Sequence, residues 1–297
     1  MDDTVHISHT LDTVPKNIEA LVEKPVQYLG LKWLPTYNKF QDVNGYRANI
    51  GNLDLRLKNG VIYIKNSLQK FYMGNNYKSF SYTQVVEAFK VLDKLLPFNV
   101  YKAKVSYIAV GVVILEKAQP ILDTWLSYNG KIAFPMISRN KQYGKKIHST
   151  DYNLKGYNKT VEVYDHNRIK LTEDLFRLEL EIKTRNLNKR KNPIGIYTVA
   201  DLVDKSKFSQ LGAELMAKYQ KIEKKQEIPL QQLNNKEKEV LALFQNQTIL
   251  AQYKIDHKDS YKKKKATYNQ LKKKANNEYL SDIQEAIQVQ IDYCINN

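Results

Sequence analysis

The 297-residue chain carries 47 lysines and arginines against 31 acids, a formal charge of +16, and 42% of its residues are hydrophobic. That hydrophobic share argues for a folded chain, and a field of this size attracts nucleic acid or anionic membrane. The longest apolar run, IAVGVVIL at 108–115, is far short of the roughly 20 residues a spanning helix needs, and the one cysteine, Cys294, excludes an internal disulfide framework or a multi-cysteine zinc site. The opening MDDTVHIS carries acids where a secretory signal carries basic charge, and cysteine usage fits a reducing cytoplasm, so membrane binding ranks behind nucleic acid.

Strand signals open the chain at 4–8, 53–57 and 61–65, the last two flanking Asn59-Gly60, whose residues tolerate the positive φ of a tight hairpin turn. Ser81 with Gln84 forms a capping box ahead of Val85, Val86, Phe89, Leu92 and Leu96, which recur at helical spacing until Pro97 closes the helix. A strand over 102–115 follows, then a stretch without a clear period at 121–147. In GYNKTVEVYDHNRIKLTEDLFRLELEIK (156–183) both 160–164 and 176–183 alternate at period two, which predicts a hairpin with a long polar loop at 165–175. From Thr198-Val-Ala-Asp201, a second capping box, the pattern turns helical, with Leu202, Phe208, Leu211, Leu215 and Tyr219 on one face. A polar linker at 223–236 precedes a last helical region over 237–295. The fold class expected is therefore α+β: an antiparallel sheet packed with helices in the N-terminal two-thirds, residues 1–195, followed by an all-helical basic region, 196–297.

In the hairpin, Val161, Val163, Phe176, Leu178, Leu180 and Ile182 would enter the core. The opposite face would bring Glu162 and Tyr164 beside Arg177, Glu179 and Glu181, a phenol within reach of carboxylates and a guanidinium. The wet side of an ordinary sheet has the same composition. In KNSLQKFYMGNNYK (65–78), lysines mix with aromatics, and such segments suit single-stranded DNA because bases stack on rings while lysines track phosphate. Lys70, Tyr72, Tyr77 and Lys78 are the candidates there. Segment 254–274 holds nine lysines against Asp256 and Asp259, a local charge of +7, with Lys254, Lys258, Lys262 and Lys265 at helical spacing and Lys263 and Lys264 beside them. That run suits a DNA-binding face or a solvated helix surface. His6 and His9 lie three apart on a strand and face opposite ways, so they form no shared metal site, and no glycine-rich nucleotide cradle occurs.

Four segments, SLQKFYMGNNY at 67–77, VEVYDH at 161–166, FRLELEIK at 176–183 and IYTVADL at 196–202, resemble the rolling-circle replication initiators of small phages and plasmids, of the type related to the filamentous-phage gene-two protein and plasmid Rep proteins. The resemblance covers most of the chain to about residue 205. It implies a protein of the bacterial host cytoplasm that nicks one strand of a single-stranded or cruciform DNA origin through a tyrosine, stays joined to the 5′ phosphate, and later rejoins ends. Tyr164 then takes the place of the nucleophile and Arg177 with Glu179 that of an RxE pair, with Tyr152, Tyr157 and Tyr197 as the alternatives should the strand register differ. Mg²⁺ or Mn²⁺ is implied as cofactor, with Glu179, Glu181 and Glu162 as its oxygen ligands. A host helicase or polymerase is implied as partner. His166 stands where lysine is expected and Ala109 where relatives often carry a carboxylate, so the alternative is a non-catalytic DNA- or RNA-binding protein on the same scaffold. A nucleophilic tyrosine, whose ordinary pKa is near 10, needs help worth roughly 4 kcal/mol to react as phenolate at pH 7.

Overall fold

The computed structural model describes residues 2–187, 189, 194–225, 227–275 and 278–297. Strands β1 (Asp2–Thr10), β2 (Val26–Tyr28), β3 (Leu31–Tyr37), β4 (Val43–Ile50), β5 (Leu53–Lys58) and β6 (Val61–Ser67) fill the first quarter, with a short helix α1 (Lys16–Glu19) between β1 and β2. Next come α2 (Leu68–Met73), α3 (Tyr82–Leu95), β7 (Lys104–Ile114) and α4 (Ala118–Thr124). Strands β8 (Trp125–Tyr128), β9 (Lys131–Ile132), β10 (Phe134–Ser138), β11 (Lys141–His148) and β12 (Tyr152–Asn158) precede α5 (Lys159–Asn167) and β13 (Phe176–Ile182). The remainder comprises α6 (Thr184–Leu187), α7 (Val199–Leu202), α8 (Lys205–Gln220), β14 (Glu223–Lys224), α9 (Asn235–Gln245), α10 (Gln247–Asp256), α11 (Lys258–Lys272) and α12 (Glu278–Asn296).

The expected α+β architecture is present. An 11-stranded antiparallel sheet runs in the order β10-β11-β12-β13-β7-β1-β6-β5-β4-β3-β2, and β14-β8-β9 form a small second sheet. Local chemistry explains the joints. The β5–β6 turn places Asn59 at φ 49 and Gly60 at φ 70, as the Asn-Gly pair requires. At α3 the Ser81 hydroxyl accepts from Gln84 N while Gln84 Oε1 accepts from Ser81 N, the full capping box.

One face of the large sheet is apolar. Val5 and Ile7 of β1, Leu55 of β5, Ile64 of β6, Ile108 and Val110 of β7, and Leu178 and Leu180 of β13 are all buried there in one core. Phe89 of α3, Phe208, Leu211 and Leu215 of α8, and Ile283, Ile287 and Ile291 of α12 join that core. The helical third is accordingly not one unit beginning at residue 196. Helices α7, α8 and α12 belong to the main core, whereas Ile228, Leu233, Val240, Leu241, Phe244, Tyr268 and Leu271 form a second, separate one. The amphipathic faces of α8 and α12 bury on the sheet, and only the segment between them carries its own apolar cluster. Residues 223–224, expected as linker, instead pair with β8. Among the described residues, no helix is long and apolar enough to cross a membrane.

Candidate functional site on the sheet face

The expected hairpin is shifted by one element. β13 pairs not with residues 160–164 but with β12, in the register Tyr157↔Arg177, Lys155↔Glu179 and Asn153↔Glu181. Residues 160–164 are helical: the Asn158 side chain accepts from Val161 N at 2.9 Å, which stops the strand and caps α5. Five alternating residues are too few to separate a strand from a helix whose buried positions, Lys159 and Val163, lie four apart. Tyr164 is therefore not on the sheet. It is 44% exposed on α5, with the Arg139 guanidinium 5.5 Å from its ring centre, and the adjacent Asp165 pairs with Arg139 at 3.1 Å.

The tyrosine that shares a face with Arg177, Glu179 and Glu181 is Tyr157. Its hydroxyl donates to Glu179 Oε2 at 3.1 Å, and Arg177 Nε donates to the same oxygen at 3.1 Å. Lys155 Nζ lies 3.0 Å from Glu179 Oε1 and also pairs with Glu181 Oε1. Glu181 Oε2 takes Lys146 at 3.2 Å and the Asn153 amide. Lys159, fully buried, pairs with Glu162 at 2.7 Å and stands 5.8 Å from the Tyr157 ring centre. Burial alone would raise the Glu179 carboxyl, but Lys155 and Arg177 outweigh it and hold its pKa at about 2. Glu181 is likewise held low against burial, chiefly by Lys155, and Lys155 is held high by the two carboxylates. Among the described residues four cations (Arg177, Lys146, Lys155, Lys159) meet three carboxylates (Glu162, Glu179, Glu181).

Two glycines make room for this arrangement. A side chain at Gly111, opposite Glu179 on β7, would place a Cβ 3.2 Å from Arg177 Nη2 and 2.8 Å from the Leu178 carbonyl. One at Gly144, opposite Tyr157 on β11, would come within 2.6 Å of the Tyr157 Cβ. The segment after α2 closes over the cluster, where the Asn76 carbonyl accepts from Arg177 Nη1 at 3.1 Å. What alternation suggested was the wet side of a sheet is thus buried at every residue of β13.

The expected metal-ligand set does not hold together. Every carboxylate oxygen of Glu179 and Glu181 already receives a lysine, an arginine, a phenol or an amide, and Glu162 faces Lys159 from the helix. A hard cation needs several oxygens free to turn toward it, so these residues do not fit Mg²⁺ or Mn²⁺ as arranged. Among the described residues no group of three or more His, Cys, Asp or Glu is placed to hold a metal ion. His6 stacks on Tyr107 at 4.4 Å and His9 on Phe98 at 4.2 Å.

The other candidates scatter. Lys70 and Tyr72 lie on α2, with Tyr72 exposed against Phe80, while Tyr77 and Lys78 edge a groove beside α12. Lys254, Lys258, Lys262 and Lys265 do not share one continuous helical face, because the helix breaks at His257 (φ −134, ψ 53) between α10 and α11. Lys258, Lys262, Lys263 and Lys265 are exposed and Lys264 is half-buried.

Beyond β7 the same sheet face continues uncovered. The register brings Arg47, Arg56, Tyr63 and Ser8 into one row ending at Lys104, with Lys58 and Lys65 in the flanking rows. Arg47, Arg56, Lys58, Tyr63, Lys65 and Lys104 are all exposed. Sequence reasoning passed over this surface and over Lys155 and Lys159, and held Tyr157 only as an alternative nucleophile for a different register. The alternation of β5 and β6 contained the first, and the triplet Tyr157-Asn158-Lys159 at a strand end contained the second.

No family model matches the chain, and no curated protein matches it. Among solved structures it is similar to a rolling circle replication initiator protein from Geobacillus stearothermophilus, with 13% identity and a TM-score of 0.38 over 72% of this chain and 83% of that one.

Proposed function

We propose that this chain is a DNA-binding protein of the replication-initiator kind, which lays a single strand across the open sheet face and cuts and rejoins it through Tyr157. The observation that carries the proposal is the Tyr157 hydroxyl held 3.1 Å from an ionised Glu179, with Arg177, Lys155 and Lys159 around it. The RLE triplet of β13 agrees with the motif resemblance, and the tyrosine that meets it is the one on β12. In the reaction the phenol oxygen attacks phosphorus, the bond to the 3′ oxygen breaks, and that oxygen leaves with a proton as a 3′ hydroxyl. A 5′ phosphotyrosine link remains, and attack by a 3′ hydroxyl reverses it.

Glu179, with a pKa of about 2, is a poor base, so its role is to aim the phenol. The surrounding cations are placed to meet the charge that builds on the phosphate. Tyr157 is only 6% exposed, with the Tyr143 ring edge-on 6.3 Å away, so access requires its surroundings to open. Arg47, Arg56 and Lys65 would guide the strand toward it as phosphate contacts.

The test is a labelled single-stranded origin oligonucleotide incubated with the full chain and Mg²⁺ or Mn²⁺, then a denaturing gel for the protein–DNA adduct. Tyr157→Phe should abolish the adduct and Tyr164→Phe should keep it. The reverse result would move the chemistry to the exposed Tyr164. Absence of any adduct from an unaltered chain that still binds the oligonucleotide would favour the non-catalytic binding reading, with which the fully paired, buried carboxylates agree.

A further inference from the structure

A second surface, which shares no residue with the Tyr157 cluster, has its own chemistry. The tip of the β8–β9 hairpin and the helices α9, α10 and α11 enclose a groove of ≈ 510 Å³. That is within the roughly 300–1,000 Å³ typical of ligand sites. Its walls are of three kinds.

Charge comes first. Lys221, Lys254 and Lys265 line the groove against one acid, Glu223, whose carboxylate already takes Lys272 at 3.1 Å. The groove therefore favours an anion. Aromatic surface comes second. Tyr268 and Tyr261 lie nearly parallel to Phe244, each at 16°, with ring centres 4.4 and 5.9 Å from it. Tyr261, half-buried, carries Lys254 5.7 Å from its ring centre. Hydrogen-bonding side chains come third: Asn129, Gln247 and Asn269 are amides, each able to donate and accept.

A fourth observation points to a ligand. Tyr268 is 4% exposed, and its hydroxyl is buried without a hydrogen-bond partner among the described residues. A buried hydroxyl without a partner costs free energy. Burial, then the nearby Glu223, pushes its pKa up to about 12, so at neutral pH it is a phenol with a proton to donate. An anion-selective groove with stacking rings, amides and a spare phenolic donor matches one chemistry well: a phosphate joined to a planar, hydrogen-bonding base.

We infer that this groove is a second nucleic-acid site, which takes an unpaired nucleotide of a single DNA strand, its base against the Tyr261–Phe244–Tyr268 column and its phosphate among Lys221, Lys254 and Lys265. The site uses none of the residues around Tyr157 and lies where the second core meets the β8–β9 hairpin. It differs from a lysine-studded helix surface in making base stacking, as well as charge, part of the binding.

The experiment cross-links the full chain to a single-stranded oligonucleotide carrying 5-iododeoxyuridine and maps the modified peptides. Cross-links at Tyr261 or Tyr268 are expected. Tyr268→Phe removes only the unpartnered hydroxyl, so its unfolding midpoint should not fall, while its affinity for the oligonucleotide should drop about fivefold, the worth of one hydrogen bond. Replacing Lys254 and Lys265 with alanine should reduce the slope of log K against log salt by about 0.7, the one phosphate the groove holds. Cross-links on the exposed sheet strands but not in the groove would overturn this inference and leave the sheet-face reading standing. Cross-links in the groove alone would do the opposite, and their absence from both would overturn both. Unchanged affinity in a folded Tyr268→Phe would also remove the groove from DNA binding.

Discussion

Glu179→Gln isolates one tightly held buried charge. The carboxylate is buried, accepts from Tyr157 and Arg177, pairs with Lys155, and has a pKa of about 2 in place of an ordinary value of 4.5. Because the folded value is depressed, its contribution to stability is present above the unfolded pKa and is lost as pH falls through the folded one. The difference of 2.5 units corresponds to about 3 kcal/mol at pH 7, at the lower end of the roughly 3–5 kcal/mol for breaking a buried ion pair. At pH 3 the unfolded chain has already bound the proton while the native state has not, and the contribution shrinks to about 1 kcal/mol. Urea unfolding followed by circular dichroism should therefore show the glutamine variant less stable than the parent by about 3 kcal/mol at pH 7 and by about 1 kcal/mol at pH 3. A deficit below about 1 kcal/mol at pH 7, or one that does not narrow in acid, would show that the pairs do not hold the carboxylate as described. The same variant separates aiming from metal binding, since a lost cleavage activity restored by excess Mn²⁺ would put a cation on Glu179 after all.

Other outcomes follow from single contacts. Gly111→Ala drives a Cβ to 2.8 Å from the Leu178 carbonyl and onto Arg177, so thermal unfolding should show a loss of about 1–3 kcal/mol. Ser81→Ala removes half of the α3 capping box and should cost about 1 kcal/mol in the same assay. Burial and then Lys65 depress the His6 pKa to about 4, so its proton resonances should titrate near that pH, with stability lost as pH falls from about 6.5 toward 4; a midpoint near 6.5 would place the ring in free solvent. Replacing Lys262 to Lys265 with alanine should flatten the salt dependence of DNA binding, and an unchanged slope would assign that run to solvated surface.

Local chemistry was readable from the sequence wherever one residue decides one bond. The Asn59-Gly60 turn, the Ser81 capping box, the apolar strand around β7 and the parity of Phe176 through Ile182 all appear in the structure as read. Pairing was not readable, because alternation says which residues share a face and nothing about which strand lies beside them. Hence Tyr164 was chosen where Tyr157 is the neighbour of Arg177. Burial was misjudged for the same reason: a polar row reads as solvent-facing, yet Glu179 and Glu181 are enclosed by cations from β11 and β12 and by the backbone at Asn76. The break at His257 was hidden in a lysine run whose spacing passes through it. The open basic face needed the order of strands, since its residues come from five separate strands.

The position of α12 sets an order of events at the ribosome. Ile283, Ile287 and Ile291 complete the core beneath β7 and α8, and the Asn297 carbonyl accepts from Thr83 N at the start of α3, yet this helix is synthesised after the whole lysine-rich segment. The sheet must therefore wait with an apolar face uncovered while residues 228–275 emerge and gather into their own smaller core. A nascent chain halted before residue 278 would present a basic helical unit attached to an unfinished sheet, an aggregation-prone species for which chaperone capture is the expected fate.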